Sequence, residues 1–551
     1  MKYNYKKILN IIYYILVIII CSIMLFFIKE KEGFHEDEMF SYGSSNCIEN
    51  HVFQPYGKTE FAGVVFDNEI FKTKNPIKNA MYYLNHPSEF QEKLDEEEKR
   101  EHPIWKTKEE AIEYVTIQKK DILNFFSVYF NQATDVHPPL FYFIVHIVSS
   151  LYLDKFSKYI IFSVNIFIFI GCCIMIKKIL ENIKKEKIAI PSLILYGFSM
   201  GAISTVMFQR MYMLLTFFIL AYTYIVVKII NNNFKIDKSL MKMLMRIILL
   251  GFLTQYYFVV YCIGLFIILE IIMYKNGKKK EMINLFKIHI KSAFIGILIY
   301  SPSIYHIFFS YRGITTIKDD YYMMDFLKVV FEAYNINLFL GIILLLICVF
   351  ICIKYLIKKK DYIPFSLLFA IIIYLIIISK ISPYLDLRYI MGILPLVSII
   401  FFIIFDKIIK NVNDNVIVVL MILVSIFSLY SLKENTPQYL YKGYSNNIKI
   451  AKENSNLKFI YIEDNGFNHI QSMPEFMIYD KSLILNINKD ELKELKNNIE
   501  LENEEEFIVS IKNYLDVNNI LKKIKTLTKK EKYELLLDGE NETGNIIYKF
   551  Y

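Results

Sequence analysis

The chain has 551 residues, of which 55% are hydrophobic, and a formal net charge of +8. A soluble protein of this length does not need so much apolar surface, because a single core stops growing near roughly 250–300 residues. The modest positive charge, much of it Lys in short loops, indicates membrane topology and argues against a nucleic-acid partner. The apolar residues recur in blocks of about 17–24, a length that matches the hydrocarbon core of a bilayer.

The first apolar block runs from Ile8 to Ile28 and is bulky throughout. Its length predicts an uncleaved transmembrane helix, because a signal peptide has a shorter apolar region and a small-residue cleavage site. A long polar loop over 29–137 follows, with the charged run Gln91–Glu101 inside it. The next apolar stretch, 138–153, is interpreted as an interfacial or re-entrant helix, since an additional crossing here would move later basic loops to the wrong side.

Ten further blocks predict transmembrane helices near 158–176, 188–208, 211–230, 243–256, 257–274, 286–308, 336–356, 362–379, 388–406 and 414–432. If each block crosses once, the basic loops all fall on one side, which the positive-inside rule assigns to the cytoplasm together with the N-terminus. The fold class predicted is a polytopic α-helical membrane protein with about 11–13 spans. A transmembrane catalytic domain would cover 1–432.

The final segment, 433–551, is charged and alternates between two patterns. Short apolar runs at 459–462, 483–485 and 507–509 predict strands, and 489–498 and 518–527 predict helices. This alternation indicates a small C-terminal α/β domain. The topology places that domain on the extracytoplasmic side.

Two clusters with carboxylates lie at the same predicted membrane face. His35-Glu36-Asp37-Glu38 follows the first helix, and Asp135-Val136-His137 precedes Pro138 and Pro139. The first suits a general base or a metal ligand, and its alternative is a solvated helix exit. In the second, the prolines hold His137 extended, whereas the alternative is a simple proline helix start.

Three further polar clusters lie at outer turns of the predicted topology. They are Gln209-Arg210-Met211-Tyr212, Gln255-Tyr256-Tyr257 and Ser382–Tyr389, which contains Arg388. Singly, an Arg can snorkel to headgroups and a Tyr can belong to the aromatic belt. Together, two carboxylate clusters and two arginines facing one compartment suit a phosphate-bearing lipid substrate and acid–base chemistry.

The order of these motifs resembles the GT-C superfamily of membrane glycosyltransferases, in particular the glycosyltransferase family 39-like proteins related to protein O-mannosyltransferases and the bacterial aminoarabinose transferase. The resemblance covers about residues 8–432. Its motifs are Asp37-Glu38, His137–Phe141, Arg210–Tyr212, Leu253–Tyr257, and Arg388-Tyr389 with Pro395 beyond. The chain departs from the pattern in its long Glu/Lys-rich insertion, in Gln255 where such turns often have His, and in a C-terminal domain without a matching motif.

The resemblance implies transfer of a sugar from a polyprenyl-phosphate donor to a protein, glycolipid or cell-wall polymer acceptor. By resemblance Asp37 is the base, with Glu38 and Asp135 positioning it, the acceptor or a metal, and His137 orienting Asp135. Arg210 and Arg388 would grip the phosphate, with Tyr212, Tyr256 and Tyr389 lining the site. Direct displacement would invert the anomeric centre. Relatives differ in metal use, so a divalent cation, Mg²⁺ or Mn²⁺, stays open, with Asp37, Asp135 and His137 as candidate ligands.

Two alternatives remain at the level of the sequence. A flippase or transporter of lipid-linked sugars predicts polar residues along a mid-membrane path and no dependence on one carboxylate. A surface-polysaccharide ligase or polymerase would use the same donor chemistry with a lipid-linked oligosaccharide as acceptor.

Overall fold

The computed structural model describes residues 2–47, 75–89, 92, 103, 105–308, 322–409, 414–496, 501 and 506–551. By its internal contacts the chain divides into two compact units of three segments each. The helical unit comprises Met1–Phe27, Val136–Phe141 and Phe162–Gln438, and the sheet unit comprises Ile28–Asp135, Tyr142–Ile161 and Tyr439–Tyr551. The long first loop is therefore grouped with the C-terminal segment.

Most of the helical unit consists of long apolar helices. They are Lys2–Glu30, Lys158–Asn182, Tyr212–Asn231, Lys238–Phe252, Tyr257–Lys275, Lys279–Ile299, Leu338–Lys359, Tyr362–Ile381, Leu394–Ile408 and Asp414–Glu434. Shorter helices are Ala189–Gly197, Met200–Met207, Pro302–Phe308 and Met323–Glu332, with 3₁₀ turns at Glu186–Ile188, Leu387–Tyr389 and Met391–Ile393. Most of the short helix Leu140–Ser149 is grouped with the sheet unit.

Eight helices in the described part of the chain are long and apolar enough to cross a membrane, or nine if the pair Glu186–Gly197 and Met200–Met207, bent by 63°, forms one span. Helix Leu338–Lys359 shows why a bilayer is required. Phe339 and Phe350 on this helix are 78% and 65% exposed, and water would penalise such a surface. The chain is a multi-pass membrane protein, as the sequence analysis predicted.

One end of the helical unit gathers the basic loops around a cavity of about 500 Å³. Its lining includes Asn182, Lys184, Asn231, Asp361 and Lys407, each of which lies at or just beyond a helix end. We call this end the lysine end. Helix Tyr212–Asn231 ends at the lysine end and has Tyr212 at its opposite end. Helix Tyr362–Ile381 begins at the lysine end, and Arg388 follows its opposite end.

Helix Lys238–Phe252 has only 15 residues but runs between these two ends. Before it, Phe234 contacts Tyr362 at the lysine end, with ring centroids 6.2 Å apart. After it, Tyr257 contacts Tyr389 at the other end, with ring centroids 5.6 Å apart. With this helix, the bent pair and Asp414–Glu434, the described apolar helices number eleven, the lower bound of the expected range. Helix Leu140–Ser149, about 15 Å long, is too short to span.

The sheet unit is built on six strands in the order β1-β3-β2-β4-β6-β5. They are β1 Lys106–Thr107, β2 Lys458–Glu463, β3 Lys481–Asn486, β4 Phe507–Lys512, β5 Tyr533–Asp538 and β6 Asn545–Phe550. Strands β2, β3 and β4 are mutually parallel, and β1 and β6 join them antiparallel. The three strands expected from the sequence are confirmed as β2, β3 and β4.

Parallel strands are buried on both faces, which explains their continuous apolar runs. One core includes Ile460, Leu485, Val509 and Phe550, with Ile524 from helix Val517–Thr528 packed against them. That helix confirms the prediction at 518–527. The predicted helix at 489–498 is replaced, in its described part, by the 3₁₀ turns Ile487–Lys489 and Glu491–Leu495. The small C-terminal α/β domain is therefore present.

The first loop supplies further helices to the sheet unit as well as strand β1. They are Glu36–Asn46, Pro76–Asn85, Lys108–Val115 and Phe125–Thr134, and the C-terminal segment adds Ser445–Glu453 and Met473–Phe476. Most of the charged run Gln91–Glu101 lies outside the described residues. β1 pairs with β3, so the first loop is part of the same sheet as the C-terminal strands.

Candidate active site

The first carboxylate cluster forms the N-terminal turn of helix Glu36–Asn46. The backbone N–H of Asp37 donates to His35 Nδ1 at 3.0 Å, and the His35 N–H donates to Glu38 Oε2 at 2.7 Å. This reciprocal capping box satisfies two helix-end donors, and the helix dipole favours carboxylates at this position. Since a backbone N–H can only donate, His35 is neutral at Nδ1. The backbone under Asp37 is therefore fixed, while its side chain remains 25% exposed.

Glu38 faces the interior of the sheet unit and pairs with Lys31. Lys31 Nζ lies 3.0 and 2.9 Å from the two carboxylate oxygens, and both side chains are fully buried. Lys31 Nζ also donates to the carbonyl oxygen of Tyr439 at 2.5 Å. Burial lowers the pKa of Lys31, and the Glu38 carboxylate opposes that shift. This geometry suits Glu38 as a residue that positions Asp37 and not as one that contacts substrate.

Asp135 ends a helix that packs on the helix of Asp37. It follows Phe125–Thr134, and its N–H donates to the carbonyl of Asn131 at 3.2 Å. The Asn131 side-chain amide donates to the carbonyl oxygens of Ser44 and Cys47 at 3.2 and 3.0 Å, at the end of helix Glu36–Asn46. Asp37, Glu38 and Asp135 thus belong to the sheet unit and to two helices joined by a buried amide.

The other six predicted site residues belong to the helical unit. His137 precedes two buried prolines, and Leu140 N donates to the carbonyl of Leu253 at 2.9 Å. Arg210 is 3% exposed, and its Nη2 lies 3.4 Å from His137 Nε2. A guanidinium has only donors, so Nε2 is the acceptor and His137 is neutral with its proton on Nδ1.

A buried amide positions the Arg210 turn. Asn165 is fully buried, and its Nδ2 donates to the carbonyls of Val206 and Phe208 at 3.1 and 2.9 Å. Arg210 N then donates to the Phe208 carbonyl at 2.8 Å, and the ring of Phe208 stacks on Tyr212 with centroids 5.7 Å apart. Asn165 is not among the residues predicted from the sequence, because a single Asn inside an apolar block carries no motif.

Tyr300 and His306 join the site and were also missed. The Tyr300 hydroxyl donates to the His137 carbonyl at 3.4 Å, and the Tyr256 hydroxyl lies 3.2 Å from His306 Nδ1. The rings of Tyr300 and His306 are 5.9 Å apart. The available signal was a lone His after Pro302, at the end of a block interpreted as a continuous span.

Arg388 packs against two tyrosine rings. Its guanidinium carbon is 5.2 Å from the Tyr389 ring centre and 5.7 Å from that of Tyr384, distances that suit cation–π contacts. Asp386 caps the 3₁₀ turn by accepting from Arg388 N at 2.8 Å, and its Oδ2 lies 3.8 Å from Arg388 Nε. The Tyr374 hydroxyl donates to the Tyr389 carbonyl at 2.6 Å, which anchors the turn on helix Tyr362–Ile381.

The two arginine turns are joined through packed backbone. The helix that begins at Tyr212 contacts the segment after Arg388, where Thr216 Oγ1 lies 3.4 Å from the carbonyl of Met391. A Cβ on Gly392 would lie 2.6 Å from Ile219 Cδ1, so glycine permits this close approach. His137, Arg210, Tyr212, Tyr256, Arg388 and Tyr389 therefore lie at one end of the helical unit, away from the lysine end.

Among the described residues, no group of three or more His, Cys, Asp or Glu side chains could hold a metal ion. These residues therefore provide no ligand set for the Mg²⁺ or Mn²⁺ considered above. His35 Nδ1 already accepts from the backbone, and His137 Nε2 faces a cation.

No protein-family model matches the chain, and no curated protein matches it in sequence. Among solved structures, the chain is similar to ArnT from Cupriavidus metallidurans bound to undecaprenyl phosphate, at 8% identity and a TM-score of 0.49. The apo form of the same protein gives 8% identity and a TM-score of 0.47. Each match covers 75% of this chain and 87% of that chain.

Proposed function

We propose that the chain is a membrane glycosyltransferase of the GT-C superfamily that moves a sugar from a polyprenyl-phosphate donor to an acceptor at the extracytoplasmic face. One observation carries the proposal: two largely buried guanidinium groups, Arg210 and Arg388, lie at the same end of a bundle of membrane helices. A guanidinium buried among membrane helices is costly unless it serves a substrate or a partner.

A lipid phosphate fits these arginines. The guanidinium stays charged at all relevant pH values and presents a planar fork that matches two phosphate oxygens. The tyrosine rings beside Arg388 exclude water and strengthen its field. The polyprenyl chain would lie against apolar helices in the bilayer, so headgroup and tail each meet matching chemistry.

Asp37 supplies the base in this reaction. The acceptor hydroxyl or amine gives its proton to the Asp37 carboxylate as its oxygen or nitrogen bonds to the anomeric carbon. The bond from that carbon to the phosphate oxygen breaks, and polyprenyl phosphate leaves with the electron pair, with inversion at carbon. Glu38 fixes the helical turn of Asp37 through Lys31, while Asp135 and His137 orient the acceptor side of the site.

The proposed orientation has the N-terminus in the cytoplasm and the active site and sheet unit outside. It is supported by the lysine end, where Lys184, Lys185 and Lys407 line one cavity. Basic residues concentrate on the cytoplasmic side of short loops. Arg210 and Arg388 lie at the opposite ends of the helices concerned.

The test is release of free polyprenyl phosphate by the purified protein in detergent, with a panel of polyprenyl-phosphate sugars and candidate acceptors. We expect one donor to be turned over, and Asp37→Asn to lower the rate about 10²–10⁴-fold, the usual contribution of a general base. Asp490→Asn is the matched control, because Asp490 is an exposed carboxylate in a left-handed turn that Asn also adopts. Assays in EDTA and with added Mg²⁺ or Mn²⁺ measure metal dependence. Full activity of Asp37→Asn would remove Asp37 as the base.

A second candidate, transport of lipid-linked sugars, is favoured by polar contacts that join three membrane helices. Tyr222 Oη lies 2.9 Å from His289 Nε2, and Thr223 Oγ1 lies 2.6 Å from Tyr261 Oη. Transport between the leaflets of reconstituted vesicles should be lost in His289→Leu and retained in Asp37→Asn if this function is correct. Glycosyl transfer predicts the reverse dependence.

A further inference from the structure

Three loops meet at one edge of the sheet unit, where the parallel strands β2, β3 and β4 end. The chain leaves these strands at Glu463, Asn486 and Lys512. In open α/β sheets ligands bind outside the carboxyl ends of the strands. The side chains in these loops define what we call the carboxyl-edge patch: Asp464, Asn465, Phe467, Asn468, Asn488 and Tyr514.

The polar members of the patch are tied together across the loops. The Tyr514 hydroxyl donates to Asp464 Oδ1 at 2.8 Å and accepts from Asn468 Nδ2 at 2.5 Å. Asn465 Nδ2 donates to Asn468 Oδ1 at 3.0 Å, and Asn488 Nδ2 donates to the Asp464 carbonyl at 2.7 Å. Exposed polar side chains are ordinarily mobile, so a network that already holds them lowers the entropy cost of binding a ligand.

The composition of the patch defines the chemistry of its ligand. Phe467 and Tyr514 are 50% and 59% exposed, and such faces pack against the C–H side of a pyranose or polyol. Amide and carboxylate groups beside them can bond to vicinal hydroxyls. The Asp464 carboxylate accepts from the neutral Tyr514 hydroxyl, and its negative charge repels phosphate and other anions. A neutral polyhydroxyl ligand fits.

The patch borders the helix that carries Asp37. Phe40 on helix Glu36–Asn46 contacts Phe467, with ring centroids 6.3 Å apart. The positive charge of Lys512, at the end of β4, interacts electrostatically with the carboxylates of Glu475 and Glu36. The predicted base and the patch therefore belong to one unit and share a boundary.

We propose that the carboxyl-edge patch binds the acceptor, and that the acceptor is a neutral saccharide or polyol chain. The identification of this ligand as the acceptor rests on the proposed function, whereas the binding of a saccharide or polyol to the patch does not. The ring faces of Phe467 and Tyr514 hold one sugar unit, and the Asp464 network reads its hydroxyls. The chain then continues toward the helix of Asp37.

The experiment measures binding with no donor present. Full-length protein in detergent is titrated against fluorescein-labelled neutral oligosaccharides, linear oligomers of glucose, mannose, galactose and N-acetylglucosamine, and against a labelled glycerol-phosphate polymer. We expect at least one neutral probe to bind, and Tyr514→Ala and Phe467→Ala each to raise its Kd about tenfold or more. Tyr514→Phe retains the ring and should lose less. Tyr551→Ala, an exposed Tyr of the same unit, is the matched control.

Each outcome of this binding experiment either supports or overturns the proposal. Binding by wild type and Tyr551→Ala, with loss in the two patch variants, supports the proposal even if donor turnover fails. Binding that the patch variants leave unchanged overturns it, as does binding of the glycerol-phosphate polymer alone or of no probe at millimolar concentration. Elution volume and Tm show that each variant is folded. Loss of turnover with intact binding would count against the proposed function alone.

Discussion

Neighbouring carboxylates in the first helical turn face different surroundings. Asp37 is partly exposed, whereas Glu38 is fully buried against Lys31. The difference follows from helix geometry, since consecutive residues point about 100° apart. In the proposed reaction, the Asp-Glu pair thus combines one reactive group, Asp37, with one structural group, Glu38. Of the two side chains, only that of Asp37 has a solvent-exposed part that an acceptor can approach.

Removing one member of the Lys31–Glu38 pair should destabilise the sheet unit strongly. Lys31→Met removes the positive charge that faces the buried Glu38 carboxylate, and Glu38→Gln removes the negative charge that faces the buried Lys31 ammonium. Breaking a buried pair costs about 3–5 kcal/mol. The double variant removes both charges and should recover part of the loss. Thermal unfolding in detergent measures the three variants. A double variant no more stable than the worse single variant would contradict the role of the pair.

Arg388 is predicted to bind phosphate through its fork. Arg388→Lys keeps the charge but loses the planar geometry and the stacking on Tyr389 and Tyr384, so kcat/KM for the donor should fall about tenfold or more. Arg246→Lys is the control, because Arg246 is exposed on helix Lys238–Phe252. Unchanged kinetics in Arg388→Lys would mean that Arg388 only snorkels to lipid headgroups.

At the residue scale, motifs could be predicted and supporting residues could not. His137 and Arg210 stood out because ionisable groups flank apolar blocks. Asn165, Tyr300 and His306 act through contacts with carbonyls and rings remote in sequence, such as the 41-residue separation from Asn165 to Val206. No local pattern marks such a contact.

At the scale of elements, the helix of Asp37 depends on one close approach. A Cβ on Gly43 would lie 2.2 Å from Cζ of the buried ring of Tyr114. Gly43→Ala should therefore displace helix Glu36–Asn46 or Lys108–Val115, at an overpacking cost of about 1–3 kcal/mol. Tm and donor turnover should both fall. Ser44→Ala, the next position on the same helix, is expected to leave both nearly unchanged.

Apolar block length predicted most membrane helices, since the bilayer imposes a single dimension on them. It could not show that 188–208 divides into two helices bent by 63°, or that 286–308 ends as a span at Ile299 and turns at Pro302. The first break is stabilised by a side chain, since the Ser199 hydroxyl caps the second half of the bent pair by accepting from Ala202 N at 3.1 Å.

At the scale of the whole molecule, the sheet unit should respond to pH through Lys512. Its Nζ is buried and donates to the Thr543 carbonyl at 2.8 Å, and burial lowers its pKa from 10.5 to about 8. Between those values the unfolded chain binds more protons, so stability rises with pH by up to about 1.4 kcal/mol per pH unit. The Tm of wild type minus that of Lys512→Met should increase from about pH 7 to about pH 9.5. A constant difference would mean that Lys512 does not titrate there.

The class of fold and the strands of the C-terminal domain could be predicted from pattern alone. The composition of the sheet unit could not. Its members come from three segments separated by the helices of the other unit. β1 is two residues long, and nothing in Lys106-Thr107 identifies a partner near Lys481.

The pairing of β1 with β3 also sets a schedule for biosynthesis. Lys106 can pair with Ser482 only after Ser482, 376 positions later (from 106 to 482), has been synthesised. At about 5–20 residues per second, that interval lasts roughly 20–75 s. During this time the translocon inserts the intervening helices while the first loop stands without its sheet. Any factor that shields that loop therefore acts within a window fixed by the order of the gene.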